Sequence, residues 1–154
     1  MAISDILTAL RGAIDAVAPT TWAAIPFRSL DARESGSTQF EDRAQQVCRI
    51  YDLQPTGGME DTGLMSGANL EEVQIPCLLH VGYPMSVAPE GEILCAILED
   101  AVSLEHALRP ATVWSAYAAD VTVYPTATLD RVQGMGGEVV SHILTLQIDI
   151  RWRP

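Results

Sequence analysis

The last strand of the chain sets the tightest limit on its fold. From residue 140 onward, Val140, Leu144, Leu146, Ile148, Ile150 and Trp152 share one face. Ser141, Thr145, Gln147, Asp149, Arg151 and Arg153 share the other, with Ile143 the exception. A period of two over this length is the pattern of a strand with one buried side. Thirteen residues of strand span roughly 45 Å, more than a domain of 154 residues covers easily. Part of that strand is therefore expected to pair or pack outside its own subunit. Residues 118–129 supply a preceding arm, with Val121 and Val123 in step, and Gly134, Gly136 and Gly137 make the connection of a hairpin.

Two amphipathic helices accompany the strands. Ile3, Ile6, Leu7, Leu10, Ile14 and Val17 recur at helical spacing and predict a helix over 4–18, stopped by Pro19. A second helix is predicted over 90–108, opened by Pro89 and Glu90 and ended by Pro110. Its apolar side is read as Ile93, Leu94, Ile97, Leu98, Ala101, Val102 and Leu108, with Glu92, Glu99, Asp100 and Glu105 toward the other side. Residues 22–30 read as an irregular or edge strand, 31–43 as a solvent loop, 47–53 as a strand and 73–83 as a buried strand. The chain is thus expected to be a single α+β domain over residues 1–154, mainly an antiparallel sheet with two helices packed on it. A long glycine-rich loop is expected at about 54–72. That loop holds Met59, Leu64, Met65 and Leu70, apolar residues that a solvated tether does not need. Its four glycines make ordering costly, so it is expected to be mobile alone and ordered against a partner.

Charge narrows the function. Twenty acids face nine bases, and every base is arginine. No base occurs between Arg49 and Arg109, while ten acids do. Such a surface repels phosphate, so tight nucleic-acid binding is not expected. Cys48, Cys77 and Cys95 are odd in number and set among apolar residues, as reduced, buried thiols would be. The first residues lack a signal-peptide pattern, and no run of about 18 apolar residues suggests a membrane span. No catalytic, metal or cofactor constellation is read: His80, His106 and His142 lack partners at ligand spacing, and the thiols sit where thiolates are disfavoured. His80 and His142 read as core histidines, and Gly134-Met135-Gly136-Gly137 as a turn.

The order of elements carries a resemblance. A short N-terminal helix is followed by Gln46-Val47-Cys48-Arg49-Ile50-Tyr51, then an acidic loop, then the strand Val73-Gln74-Ile75-Pro76-Cys77-Leu78-Leu79-His80-Val81. The helix at 90–108 and the final strand ending in Ile150-Arg151-Trp152-Arg153 complete it. Over essentially the whole chain this resembles the tail terminator proteins of long-tailed bacteriophages. The resemblance implies a structural virion protein of the tail and neck, made in the host cytoplasm and working without a cofactor. It implies a homo-oligomeric ring, a hexamer, that caps the tail tube protein and offers a docking surface to the head–tail connector protein. DNA would pass through the lumen without tight binding. Candidate contact residues in this chain are Met59, Leu64, Met65, Leu70, Arg151 and Trp152. Candidate acids of a lumen wall are Glu60, Asp61, Glu71 and Glu72. Two alternatives stand beside it: another head–tail joining piece (adaptor, stopper or tube-like subunit), or a small cytosolic enzyme or ligand-binding protein.

Overall fold

A computed structural model describes residues 3–30, 37–56, 60–61, 65–66, 69–70, 73–109 and 119–152. It is a single-sheet α+β fold. In chain order the elements are α1 (Ile3–Asp15), β1 (Arg28–Ser29), α2 (Ser37–Ala44), β2 (Ile50–Pro55) and β3 (Glu60–Asp61). They continue with β4 (Met65–Ser66), β5 (Asn69–Leu70), β6 (Val73–Pro84), α3 (Glu90–Leu108), β7 (Ala119–Gln133) and β8 (Val139–Trp152). The main sheet runs β1-β2-β6-β8-β7, with β3 also on β6; β4 and β5 form a separate two-stranded ladder. Only β1–β2 is parallel within the main sheet.

Alternation along the strands decides which face is buried. Tyr51 and Leu53, then Ile75, Cys77, Leu79, Val81 and Tyr83, then Leu144, Leu146, Ile148 and Ile150 all point to one side. There they meet Ile6, Leu10 and Ile14 of α1, spaced four apart, and Ile93, Ile97, Leu104 and Leu108 of α3. Among the described residues the opposite face is covered at one end. A short second cluster there joins Leu30, Phe40, Ala44, Ile50 and Ile143.

α2 falls inside the segment expected to be a solvent loop. Phe40 and Ala44, one turn apart, lay it over Gly82 of β6. A Cβ added at Gly82 would stand 2.5 Å from the Ala44 Cβ, so the glycine is what lets the helix backbone approach. Residues 22–30 are also less extended than expected: a turn occupies Thr21–Ile25, and only Arg28 and Ser29 form strand. The expected strand at 47–53 begins at Ile50, because Arg49 turns the chain at φ 60°. The expected loop at 54–72 carries the end of β2 and the three short strands β3, β4 and β5.

Both edges of the final strand are paired within the chain, so the pairing outside its own subunit expected for part of it does not occur. β6 takes one edge of β8 from Val73↔Trp152 to Pro84↔Ser141, and β7 takes the other from Ala119↔Trp152 to Gln133↔Val139. Three long strands of matched length pair with one another, and among the described residues β7 pairs with β8 alone. On α3 the apolar assignment also shifts. Asp100 is buried with Ile93, Ala96, Ile97, Leu104 and Leu108, whereas Leu98 and Val102 are exposed. Of the three thiols expected to be buried, Cys77 is, Cys48 is half-buried and Cys95 is exposed.

Asp100 points inward because Arg49 meets it there. Arg49 is wholly buried and donates from Nε to Asp100 Oδ2 at 2.8 Å and from Nη2 to Oδ1 at 3.0 Å. Its remaining N–H groups go to the carbonyls of Trp22 (2.9 Å), Ile25 (2.9 Å) and Thr21 (2.6 Å). Tyr83 Oη donates to Asp100 Oδ2 at 2.6 Å, and the Trp22 and Phe27 rings flank the guanidinium at 5.8 and 5.6 Å. One side chain thereby fastens the 21–25 turn, α3 and β6 together. Removing one partner of such a pair strands the other charge in the core. Arg49→Ala is expected to cost about 3–5 kcal/mol in urea denaturation. Replacing Arg49 and Asp100 together with Met and Leu is expected to cost much less, and equal losses would show that the pair is not acting as a unit.

Candidate functional site

Surface chemistry gathers on the open face of the sheet. Asp52 of β2, His80 of β6 and Thr145 of β8 are consecutive register partners in a row across three strands. They alternate out of phase with the core residues Tyr51, Leu53, Leu79 and Leu144, so pleating alone puts them opposite the helices. His80 Nδ1 lies 2.9 Å from Thr145 Oγ1, and the Phe40 ring of α2 stands 6.0 Å from the imidazole at 44°. Asp52, His80, Phe40, Thr145, Asp130 and Glu41 line a groove of about 480 Å³. Burial lowers the His80 pKa and outweighs the opposing pull of Asp52 and Asp130, so the ring is neutral at pH 7. Burial raises the Asp52 pKa against the opposing effects of His80 and Arg11. The row can accept and donate hydrogen bonds to a small polar or cationic group.

Beyond the groove the open face stays polar. Gln54, Thr128, Gln147 and Thr122 are exposed along it. Asp149 accepts from Gln74 Nε2 at 2.6 Å. Exposed Arg151 at the far end of β8 is the base on that side of the strand, register partner of Gln74, which is in turn the partner of Glu60.

The residues singled out from the sequence are partly brought together. Glu60 and Asp61 form β3, opposite Gln74 and Val73 at the start of β6. Arg151 and Trp152 pair with the same stretch from the other side. Trp152 is half-buried and packs at the margin of the main core. Met65 and Leu70 are register partners in the β4–β5 ladder. Met59, Leu64, Glu71 and Glu72 lie outside the described residues. Sequence reading missed Asp52, Thr145 and the outward set of α3. Polar residues at alternate positions of buried strands were the available signal for the first two.

On the helix side, His142 of β8 is buried with its ring beside Glu90 of α3, Nε2 to Oε1 at 3.5 Å, and neither ring nitrogen is hydrogen-bonded. It is a core histidine, as expected, but a polar-unsatisfied one, whereas His80 faces the open side. Among the described residues no group of three His, Cys, Asp or Glu side chains could hold a metal ion, and no helix is long and apolar enough to cross a membrane. Cys48 and Cys77 thiols are each pushed up to about 11, mainly by burial. No family model matches the chain, and no curated protein matches it.

Burial lowers the pKa of His142 as well, against the pull of Glu90 and with the push of Arg131. Unfolded histidines titrate near the ordinary value of 6.5, so below it the unfolded chain binds more protons. Stability is then full above pH 6.5 and falls as the pH drops from there through the lowered folded values. The urea midpoint is expected to drop between about pH 7.5 and pH 5.5, and less in His142→Gln. An unchanged pH slope in that variant would place the proton uptake elsewhere.

Proposed function

We propose that the chain is the subunit of a closed hexameric ring that caps a phage tail tube, ends its polymerisation and presents a docking surface to the head connector in the virion neck. The observation that carries this reading is the two-sided character of the sheet. One face is sealed by α1 and α3. The other, past α2, carries Asp52, Gln54, Thr128, Asp130, Thr145 and Gln147 among the described residues, with Arg131 at the groove's margin. A wall of that kind turned to a lumen repels phosphate and lets duplex DNA slide. The net charge of −11 acts in the same direction. The element order resembles that of tail terminators, and an all-protein joint needs surfaces of this sort more than a reaction centre.

A second reading is favoured by the groove at Asp52, His80 and Thr145, whose concave shape and perturbed groups suit a small ligand. The two readings part in solution. A ring subunit assembles at micromolar concentration or on tail tubes of its own phage, and His80→Ala leaves that assembly unchanged. A ligand-binding protein remains a monomer in both settings by light scattering, and that result overturns the ring.

Two further outcomes follow from the same reading. Duplex DNA is expected to show no salt-sensitive gel shift near about 50 mM salt; a tight shift would mean that the arginines gather into a cationic patch. Replacing Met59, Leu64, Met65 and Leu70 together with serine is expected to abolish tail capping. Intact capping would reduce that segment to a tether.

A further inference from the structure

The groove on the open face has a lining of uneven charge. Glu41, Asp52 and Asp130 bring three carboxylates to it, and Arg131 at its margin is the cation of the lining. Arg131 is the register partner of His142, and its guanidinium reaches Glu90 of α3 at 3.3 Å. We propose that the groove binds a small organic cation, a primary ammonium or guanidinium head on a short alkyl stem, with the head on Asp52 and His80. The inference deepens the small-ligand reading of the groove and rests on it; it does not depend on ring closure.

Asp52 is the group that a cation completes. It is half-buried, and what reaches its carboxylate from the protein is charge at a distance, from His80 and Arg11, without a hydrogen bond. A carboxylate partly withdrawn from water gains more from a charged N–H donor than from a neutral one. Asp130 and Glu41 are exposed and add attraction at longer range.

His80 supplies an acceptor beside it. The two are register partners on β2 and β6, and burial holds the imidazole neutral at pH 7. In the tautomer whose Nδ1–H donates to Thr145 Oγ1, at 2.9 Å, Nε2 is the ring atom left to accept an N–H. A cationic head with several N–H donors can then bond the Asp52 carboxylate and the His80 ring together.

Size and composition select the kind of cation. The groove of about 480 Å³ lies within the roughly 300–1,000 Å³ of small-molecule sites, far more room than a bare ion fills. Among the described residues no three His, Cys, Asp or Glu side chains converge as a metal ion requires. Phe40, Val132 and Ile143 also line the groove, an apolar surface that suits the methylenes of a stem and not a hydrated ion. Three carboxylates repel phosphate and carboxylate ligands.

Heteronuclear NMR of the full-length protein at pH 7 and fixed ionic strength tests this with probes of equal stem: n-butylguanidinium, n-butylammonium, n-butanol and butyrate. The two cations are expected to shift the His80 ring signals and the Asp52 and Thr145 amides, saturating at about 1–10 mM. Butanol and butyrate are expected to leave those signals in place. Asp52→Asn is expected to weaken both cations by about tenfold or more, and His80→Gln to weaken them as well. Glu92→Gln, which removes the same charge from an exposed position on α3, is expected to leave their binding unchanged. Thermal melting checks that each variant folds. Butanol or butyrate binding as well as the cations overturns the cation assignment and keeps the groove as a ligand site. No shift with any probe overturns the groove reading together with the inference. Equal weakening by Asp52→Asn and Glu92→Gln overturns Asp52 as the anchor, because overall charge then accounts for the binding.

Discussion

The buried Arg49–Asp100 pair determines how the layers of this protein meet. Two charges in a dry core cost several kcal/mol each to desolvate, and they persist here because their hydrogen-bonding capacity is largely met within the protein. Nε and both Nη atoms of Arg49 donate to one carboxylate and three carbonyls, and Asp100 also accepts from Tyr83. Those partners come from the 21–25 turn, from α3 and from β6. The positive φ of Arg49 is the backbone counterpart: the turn delivers the side chain inward while its amide still donates to Gly82 at 2.8 Å. Once Asp100 is fixed inward, the rotation of α3 is fixed too. Ile93, Ile97, Leu104 and Leu108 follow it into the core, and Leu98 and Val102 are left facing outward.

That dependence explains what could be read from the chain and what could not. The apolar stretch over 73–83 and the alternation over 140–152, broken at Ile143, made the central strands legible, and Pro89 and Pro110 bracketed α3. α1 was legible from Ile6, Leu10 and Ile14, and it ends at Asp15, before the expected stop near Pro19. The inward face of α3 was misread because Leu98 and Val102 are as apolar as Ile97, and local composition holds no sign of a guanidinium 51 residues away. α2 was missed for a similar reason. Its two buried residues, Phe40 and Ala44, make sense only against Gly82, a distant position whose missing side chain creates the space. The long last strand was recognised, but its coverage depended on β6 and β7 matching its length, a property of three segments at once.

The open face and the exposed α3 strip are consequences of the same layering. Antiparallel sheets tolerate one solvated face, and among the described residues α2 covers the end near Gly82. The remainder carries amides, hydroxyls and carboxylates, with Asp52 and His80 half-buried among them. Apolar residues appear at the surface chiefly where α3 turns away from the core and where β7 ends the sheet.

Amide hydrogen exchange over α3 and α1, compared between the parent chain and Asp100→Asn, tests this account most directly. The substitution keeps the size of the side chain and removes the charge that Arg49 meets. The account predicts that amides of α3 around residues 97–104 exchange faster in the variant while those of α1 keep their parent rates. Equal rates in α3 of the two proteins would contradict it.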